Sequence, residues 1–386
     1  MKVSIITPDI SHNCLGRAYV LAQVLSYRFD VEIVGAQSGT GVWQPLAEEA
    51  SALVRGIPVS SGLASLMAHL PEISKMADGD VVLVSKPLPS SYYSGLLASR
   101  RRRRPLVLDI DDWEVGLRGG TQRSWQRRAR DFAAFLVRHN SYLGALACER
   151  LVPRADAVIA ASAFLQRRFG GALLPHVRDT DSLDPARYSR AKWREQLGLA
   201  QSDTLVGFVG TPHPHKGIED LIGAIGMIGD RRTHLLVAGL DEGPYSRHLR
   251  AVCRTVLAGA TCHLIDQVPY GAIPEILAAV DIVVLPQRDC PQALGQMPAK
   301  LFDALAMGKA IVASDVSDIA QVLEGCGVVV PAGETAHLAE AIRELVKSPQ
   351  IRSGLESAAR ERAVSGYSVR AVRDDLCRFV GGLVGC

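Results

Sequence analysis

Two lysines and one aspartate in the second half of the sequence stand where turns lead into amphipathic stretches. Lys216 follows a strand-like run that ends at Gly210, and it precedes a helix-forming stretch. Lys300 and Asp303 lie three residues apart, which places them on one helical face near the helix start. Cations and unpaired N–H groups at a helix start stabilise phosphate, and a nearby carboxylate can accept hydrogen bonds from ribose hydroxyls. These residues predict a nucleoside diphosphate site, with a surface lysine and a surface ion pair as the alternatives.

A run of five arginines and a cluster of carboxylates flank one predicted strand of the first half, in the segment 100–114. The carboxylates, which include Asp109, follow the strand directly and suit a cationic or polyhydroxyl ligand, because charge-assisted hydrogen bonds are strong. The arginine run is typical of a solvated helix end. Contact with anionic lipid is the alternative, and the arginines of the helical stretch 122–151 keep it open.

Short β-branched runs alternate with longer amphipathic stretches along the chain, a pattern typical of α/β folds with parallel sheets. The predicted strands are 3–7, 31–34, 81–84, 106–110 and 157–159 in the first half, and 205–209, 235–238, 263–265, 282–285, 310–313 and 328–330 in the second. A turn-rich segment after Leu174 predicts a linker. We expect two doubly wound domains, 1–175 and 176–365, with 366–386 returning to the first as a helix. Ligands of such sheets bind at the carboxyl ends of the strands.

Composition narrows the class of protein. A chain of 386 residues suggests two domains, and a formal net charge of +3 argues against a nucleic-acid-binding protein. The start MKVSIITP lacks the long apolar core of a secretory signal, and no apolar run approaches the roughly 18 residues of a membrane span. The eight cysteines show no zinc-binding spacing, so we expect reduced thiols. The sequence therefore predicts a cytoplasmic protein whose membrane contact is at most peripheral.

The order of several segments resembles the family-4 retaining glycosyltransferases of GT-B fold. These segments are MKVSIITP with the loop 13–17, ADAVIAASAFLQRRFG at 155–170, PHVRDTDSLDP at the linker, VGFVGTPHPHKG, and PAKLFDALAMGKAIV. The resemblance covers most of the chain. It implies two Rossmann-like domains that face a central cleft, with a UDP- or GDP-sugar donor on the C-terminal domain and the acceptor on the N-terminal one. Neither a cofactor nor a protein-bound metal is implied.

Three positions carry over from the family's donor site. By this resemblance Lys216 contacts the donor diphosphate, Asp303 the ribose, and Gly16, in the first loop of the N-terminal domain, approaches the donor phosphate. Gly210 belongs to the same segment as Lys216, and we assign it to the donor-binding set together with Lys300.

Three family residues differ in this chain: the second glutamate is shortened to Asp303, and two others are replaced. Thr211 stands where the family usually has an arginine, and Gly295 stands where it has a glutamate that contacts the sugar. We expect Arg178 to supply the missing cation, with a structural salt bridge as the alternative. The missing glutamate implies a deoxy or amino-modified donor sugar, or recognition by the backbone amides of Gly295 and Gln296. A degenerate, non-catalytic homologue is the third possibility.

Two short patterns resemble metal sites, and we predict no metal at either. Asp109 and Asp111 spell the DxD motif of the other glycosyltransferase fold, GT-A, but so short a motif occurs by chance. His213 and His215 have no third ligand nearby in the sequence and are expected to be turn residues.

The resemblance implies a hexosyl-type transferase that retains anomeric configuration without a protein nucleophile. The expected catalytic residues are Lys216, Arg178 and Asp109. A small polar acceptor is preferred, such as an aminocyclitol, an amino sugar or another secondary metabolite. A membrane-borne envelope glycolipid as acceptor, and a nucleotide-sugar epimerase, remain the alternatives. A nicotinamide-dependent oxidoreductase is disfavoured, because neither half opens with GxGxxG after its first strand.

Overall fold

The computed structural model describes residues 1–121, 124–257 and 262–384, which form two units. The first unit contains Met1–Val177, Leu294–Met297 and the chain from Val369 onward, and the second contains Arg178–Ala293 and Pro298–Ser368. The chain thus leaves the first unit two residues later than the predicted boundary at 175. It returns at Val369, three residues after the predicted position. The predicted boundaries did not include the short segment Leu294–Met297 in the first unit.

The first unit is built on a parallel sheet of seven strands in the order β3-β2-β1-β4-β5-β6-β7. Its strands are β1 Lys2–Thr7, β2 Asp30–Gln37, β3 Val54–Pro58, β4 Val81–Ser85, β5 Leu106–Ile110, β6 Ala157–Ala160 and β7 Ala172–Leu173. Its helices up to the linker are α1 Leu15–Leu25, α2 Ala47–Ala50, α3 Leu63–Met76, α4 Ser94–Arg102, α5 Glu114–Leu117, α6 Trp125–Val137, α7 Tyr142–Leu151 and α8 Ala163–Phe169. β4 is buried along its whole length, as expected for a parallel strand covered on both faces.

The second unit contains a parallel sheet of six strands in the order β10-β9-β8-β11-β12-β13. Its strands are β8 Thr204–Val209, β9 Thr233–Leu240, β10 Cys262–Asp266, β11 Ile282–Leu285, β12 Ala310–Ser314 and β13 Val328–Val330. Its helices are α9 Arg190–Gln196, α10 Ile218–Ile228, α11 Pro244–Val256, α12 Ile273–Ala279, α13 Pro291–Leu294, α14 Ala299–Ala306, α15 Ile319–Leu323, α16 Thr335–Lys347 and α17 Pro349–Gly366. α10 and α16 pack together on one face of the sheet.

The last helix, α18 (Val369–Gly382), belongs to the first unit and packs on α1. Leu376, Cys377 and Val380 are its buried residues. The helix therefore covers apolar surface of the unit in which the chain begins.

Each sheet has one position where the strand order reverses, between β1 and β4 in the first unit and between β8 and β11 in the second. Such switch points leave a crevice at the carboxyl ends of the strands, because the loops on either side lead away in opposite directions. The loops that follow β8 and β11 contain or lead to the predicted donor residues.

The arginine run lies at a helix end, as its composition indicates. Arg100, Arg101 and Arg102 form the exposed last turn of α4, where positive charge is favoured by the helix dipole. Arg104 turns back and donates to the carbonyls of Ala77 and Ala98.

The helical stretch predicted at 122–151 is two helices, α6 and α7. Gln122 and Arg123 lie outside the described residues. Within the residues that are described, no helix is both long and apolar enough to cross a bilayer.

Candidate functional site

The loop after β8 is shaped by two glycines whose backbone conformations other residues rarely adopt. Gly210 has φ +135°, and Gly217, at the start of α10, has φ +64°. A Cβ on Gly217 would lie 1.9 Å from the carbonyl oxygen of Pro286, which follows β11. This close approach holds the loop after β8 against the loop after β11, and the amide of Arg288 donates to the carbonyl of His215 at 3.0 Å. Lys216 ends the short turn Pro214–Lys216 between these contacts.

Lys300, the second residue of α14, reaches back to the end of β8. Its Nζ lies 4.0 Å from the centre of the Phe208 ring, and a Cβ on Gly210 would be 2.7 Å from it. The missing side chain at Gly210 therefore makes room for Lys300. The Nζ is inaccessible to solvent and has no hydrogen-bond partner among the residues that the structure describes. A buried donor left in this way costs about 1–3 kcal/mol.

The electrostatics around Lys300 favour an added negative charge. Burial, followed by repulsion from Lys216, lowers the pKa of Lys300 well below its usual value, and Asp303 opposes this only in part. Burial together with Lys216 and Lys300 lowers the pKa of His213 as well. Two lysines and an imidazole thus share one small region, so an anion placed there would relieve their repulsion.

Arg178 and Asp303 form a buried ion pair within the second unit. Nε and Nη2 of Arg178 face the two carboxylate oxygens of Asp303, and Nη2 also donates to the carbonyl of Ala299 at 2.9 Å. Burial would lower the pKa of Arg178, but the Asp303 carboxylate outweighs it and raises that pKa. Of the two roles considered for Arg178, a cation that binds phosphate and a structural salt bridge, the structure shows the salt bridge. Arg178 also holds the carboxylate at the α14 N-terminus.

Gly295 and Gln296 contact residues of the first unit, contrary to the prediction that they belong to the C-terminal domain. The amide of Trp113 donates to the carbonyl of Gly295 at 2.9 Å, and Gln296 forms an isolated antiparallel bridge with Asp112. A Cβ on Gly295 would lie only 2.2 Å from the Cβ of Trp113. No side chain fits at this position, because Trp113 occupies the space that it would need. Thr211 is half-buried beside Gly210.

The structure corrects the role predicted for Asp109. Its side chain is fully buried and receives bidentate hydrogen bonds from Arg17, whose other donors reach the carbonyls of Leu174 and Pro175. Burial raises the pKa of Asp109, against the opposing charge of Arg17. Asp109 therefore holds Arg17 of α1 in place, and its carboxylate is not exposed to a substrate.

Gly16 also departs from its predicted place. It is the second residue of α1 and not part of a loop, because the turn at His12 and Asn13 accepts the first amides of the helix. A Cβ there would meet Trp43 at an ordinary 3.8 Å, so the position does not require glycine.

The remaining carboxylates of the acidic cluster gather around a lysine that sequence reasoning missed. Lys86 follows β4 at the switch point of the first sheet and has φ +67°, uncommon for a residue with a side chain. Its Nζ lies 2.7 Å from Asp111 and 3.5 Å from Glu114, and it also binds Asp112. These carboxylates outweigh the effect of burial and raise the pKa of Lys86 well above its usual value. Its position directly after a buried strand is the signal that could have found it.

His213 and His215 stack on each other, with ring centres 5.5 Å apart and planes 9° from parallel. No group of three residues able to hold a metal is found in the described ranges. The pair behaves as part of the turn before Lys216.

Comparison with known proteins finds a family match in the second half of the chain. Residues 189–362 match the family model described as "Glycosyl transferases group 1". The chain is 26% identical over 196 residues to an alpha-D-kanosaminyltransferase of Streptomyces kanamyceticus, covering 48% of this chain and 47% of that protein. It is 25% identical over 250 residues to a GDP-mannose-dependent alpha-(1-6)-phosphatidylinositol monomannoside mannosyltransferase of Mycolicibacterium smegmatis, covering 61% and 65%. The matches thus span about half to two thirds of the length of these curated relatives.

The fold is shared along the full length. The Anabaena protein HepE, crystallised in complex with UDP-glucose, superposes with a TM-score of 0.78 at 19% identity, covering 99% of this chain and all of that one. The predicted α/β fold class, GT-B with two Rossmann-like domains, is therefore confirmed.

Proposed function

We propose that this chain, whose residues 189–362 form a group 1 glycosyltransferase domain, transfers a sugar from a nucleoside-diphosphate sugar to a polar acceptor. The observation that carries the proposal is the cluster of two lysines, Lys216 and Lys300, beside the His213 imidazole at the switch point of the second sheet. Its buried ammonium has no hydrogen-bond partner in the described part of the chain. A diphosphate supplies the charge and the acceptor atoms that this cluster lacks.

The donor is held by groups from two loops of the second unit. Lys216 and Lys300 bind the phosphate oxygens, and the N-terminus of α10 adds its unpaired amides. Asp303, oriented by Arg178, accepts hydrogen bonds from the ribose. UDP and GDP are both candidates: the neighbour HepE was crystallised with UDP-glucose, and one curated relative is named as GDP-mannose-dependent.

The transferred sugar differs from that of a family member with the usual glutamate. Gly295 carries no side chain and has no room for one beside Trp113, so no carboxylate from this position reaches sugar hydroxyls. A deoxy or amino-modified sugar requires fewer such contacts. The match to a relative named as a kanosaminyltransferase supports an amino-modified donor.

Transfer proceeds with retention of anomeric configuration. The acceptor oxygen forms a bond to the anomeric carbon on the face from which the diphosphate departs, while the bond from that carbon to the phosphate oxygen breaks. The acceptor hydroxyl proton passes to the departing phosphate oxygen. Lys216 and Lys300 stabilise the charge on the diphosphate, so the protein's contribution is positioning and electrostatic stabilisation.

The acceptor binds to the first unit at the Lys86 cluster. Lys86 and Arg118 neutralise two of the three carboxylates of Asp111, Asp112 and Glu114, which leaves one negative charge in excess. Asp112 is the most accessible of the three, with 14% of its side chain exposed. An aminocyclitol or amino sugar offers the ammonium and hydroxyl donors that suit this site.

The donor assignment is tested by thermal shift with UDP, GDP and their sugars, since a ligand that binds the folded state raises its melting temperature. We expect one nucleotide to stabilise the protein, and Lys216→Ala to lose most of that shift and most of the turnover. Arg100→Ala on the solvated end of α4 is the control. If no nucleoside diphosphate stabilises the protein, or if Lys216→Ala responds like wild type, the proposal is wrong.

The acceptor assignment has a separate test. Asp112→Asn is expected to raise the KM for an amino-sugar acceptor while leaving nucleotide binding unchanged. The anomeric configuration of the product, read by NMR, tests retention directly. An inverted product would contradict the proposed route.

A further inference from the structure

The largest exposed apolar side chains of the first unit concentrate on one helix, α6. Phe132, Leu136 and Val137 are 62%, 55% and 61% exposed, and Met67 on the neighbouring helix α3 is 55% exposed. With about 100° between successive residues of a helix, the α6 side chains and the exposed Ala129 and Ala133 share one arc of about 140°. This arc is an apolar stripe that faces solvent, the reverse of the usual arrangement for a helix on a globular unit.

Arginines border the stripe on one side. Arg127, Arg130 and Arg138 are exposed and occupy the next arc of α6, and no ion pair involving them is found among the described residues. Together with Arg118 they line a depression of about 750 Å³. Its other lining groups include Ser124 and Tyr142, which can donate hydrogen bonds to an oxyanion, and Asp131, whose single negative charge is outnumbered by the arginines.

We propose that α6 is a docking surface for an anionic lipid bilayer, with Phe132, Leu136 and Val137 inserted among the acyl chains and the arginine-lined depression holding a phosphate headgroup. An amphipathic helix with arginines beside an apolar face lies in the interface plane of a membrane in this way. The proposal does not rest on the transfer reaction or on the nature of the acceptor.

A bilayer fits this surface better than a second copy of the chain. In a two-fold symmetric dimer with antiparallel α6 helices the same patch meets itself, so its arginine margin would face arginines of the partner. Anionic headgroups instead meet the arginines with opposite charge. Each arginine near such a surface strengthens binding roughly fivefold at low salt.

The test is flotation of the full-length protein with vesicles of phosphatidylcholine alone, and with vesicles in which phosphatidylglycerol replaces a third of it. We expect binding to the anionic vesicles only. Phe132→Ser with Leu136→Ser is expected to reduce binding about tenfold or more, and Arg127→Gln with Arg130→Gln by roughly twentyfold. Matched controls are Met227→Ser, an equally exposed apolar residue of the second unit, and Arg100→Gln with Arg101→Gln in the arginine run. Both controls are expected to bind like wild type.

Unchanged melting temperatures and nucleotide binding in these variants would show that they fold, because none of the substituted residues is buried. Three results would overturn the proposal. One is that the protein binds neutral and anionic vesicles equally, or binds neither kind. Another is a wild-type dimer in light scattering that Phe132→Ser with Leu136→Ser converts to monomer. The third is displacement from vesicles by inorganic phosphate at unchanged ionic strength, which would assign the depression to a soluble phosphate.

Discussion

Replacement of Lys300 by methionine tests whether this lysine binds a ligand or stabilises the folded protein. Methionine keeps the apolar stem against Phe208 and removes the ammonium that lacks a hydrogen-bond partner among the described residues. A buried unsatisfied donor costs about 1–3 kcal/mol, and the cation–π contact with Phe208 returns roughly 1 kcal/mol. Without ligand the variant should therefore be at least as stable as wild type, by about 0–2 kcal/mol, or up to a few degrees in Tm for a unit of this size.

With ligand the effect of Lys300→Met reverses. Loss of a charge-assisted hydrogen bond to phosphate costs about 1.5–3 kcal/mol, which is a 10- to 150-fold rise in Kd for the nucleoside diphosphate. The variant should thus melt at least as high as wild type without ligand and gain less from the nucleotide. Differential scanning calorimetry with and without the nucleotide measures both quantities. Lys309→Met, a half-buried lysine that donates to Ala278 and Val280, is the matched control and should leave nucleotide binding unchanged.

Proton uptake gives a second readout of the same lysine. The pKa of Lys300 is lowered by burial and by Lys216, and a bound diphosphate would raise it again. Binding should therefore take up protons above the lowered pKa, and affinity should fall as pH rises through that range. Calorimetry in two buffers of different ionisation enthalpy measures this uptake, which Lys300→Met should abolish. A variant that is destabilised without ligand and binds nucleotide as wild type does would refute the reasoning.

Three further predictions follow from buried groups away from the donor cluster. Asp109→Asn leaves the Arg17 guanidinium buried against a neutral partner and should lower the free energy of unfolding by about 3–5 kcal/mol in urea denaturation. Gly295→Ala should lower Tm through overlap with Trp113, whereas Gly16→Ala, which has space, should not. Burial lowers the pKa of Lys309 to about 8 from its usual 10.5. Between pH 8 and 10.5 this lysine is therefore deprotonated in the folded protein and protonated in the unfolded one. Relative to Lys309→Met, wild type should therefore gain on the order of 3 kcal/mol as pH rises from 8 to 10.5.

Each of these predictions has a result that would contradict it. An Asp109→Asn protein as stable as wild type would mean that Arg17 finds another acceptor. Equal melting of Gly295→Ala and wild type would mean that the Trp113 backbone moves aside without cost. Parallel pH profiles for wild type and Lys309→Met would mean that Lys309 stays protonated in the folded state.

Much of the fold was readable from the sequence, because a strand buried on both faces is a continuous β-branched run. All six strands of the second unit and five of the seven in the first were predicted within a few residues. The strand β3 (Val54–Pro58) was missed, since it contains Arg55, Gly56 and a proline and only two of its five residues are buried. The strand β7 has only two residues, too few for any periodicity.

The sequence by itself determined the βα alternation, the placement of Lys216 after a strand and before a helix, and the spacing that puts Lys300 and Asp303 on one helix. These are local properties, set by neighbours within a few residues. Only the tertiary structure decided that Arg178 pairs with Asp303 and Arg17 with Asp109, residues more than 90 positions apart. Only it placed Lys86 among the carboxylates and the Trp113 backbone against Gly295. Burial and partner choice depend on which chain segments the two sheets bring together, and no pattern along one segment encodes that.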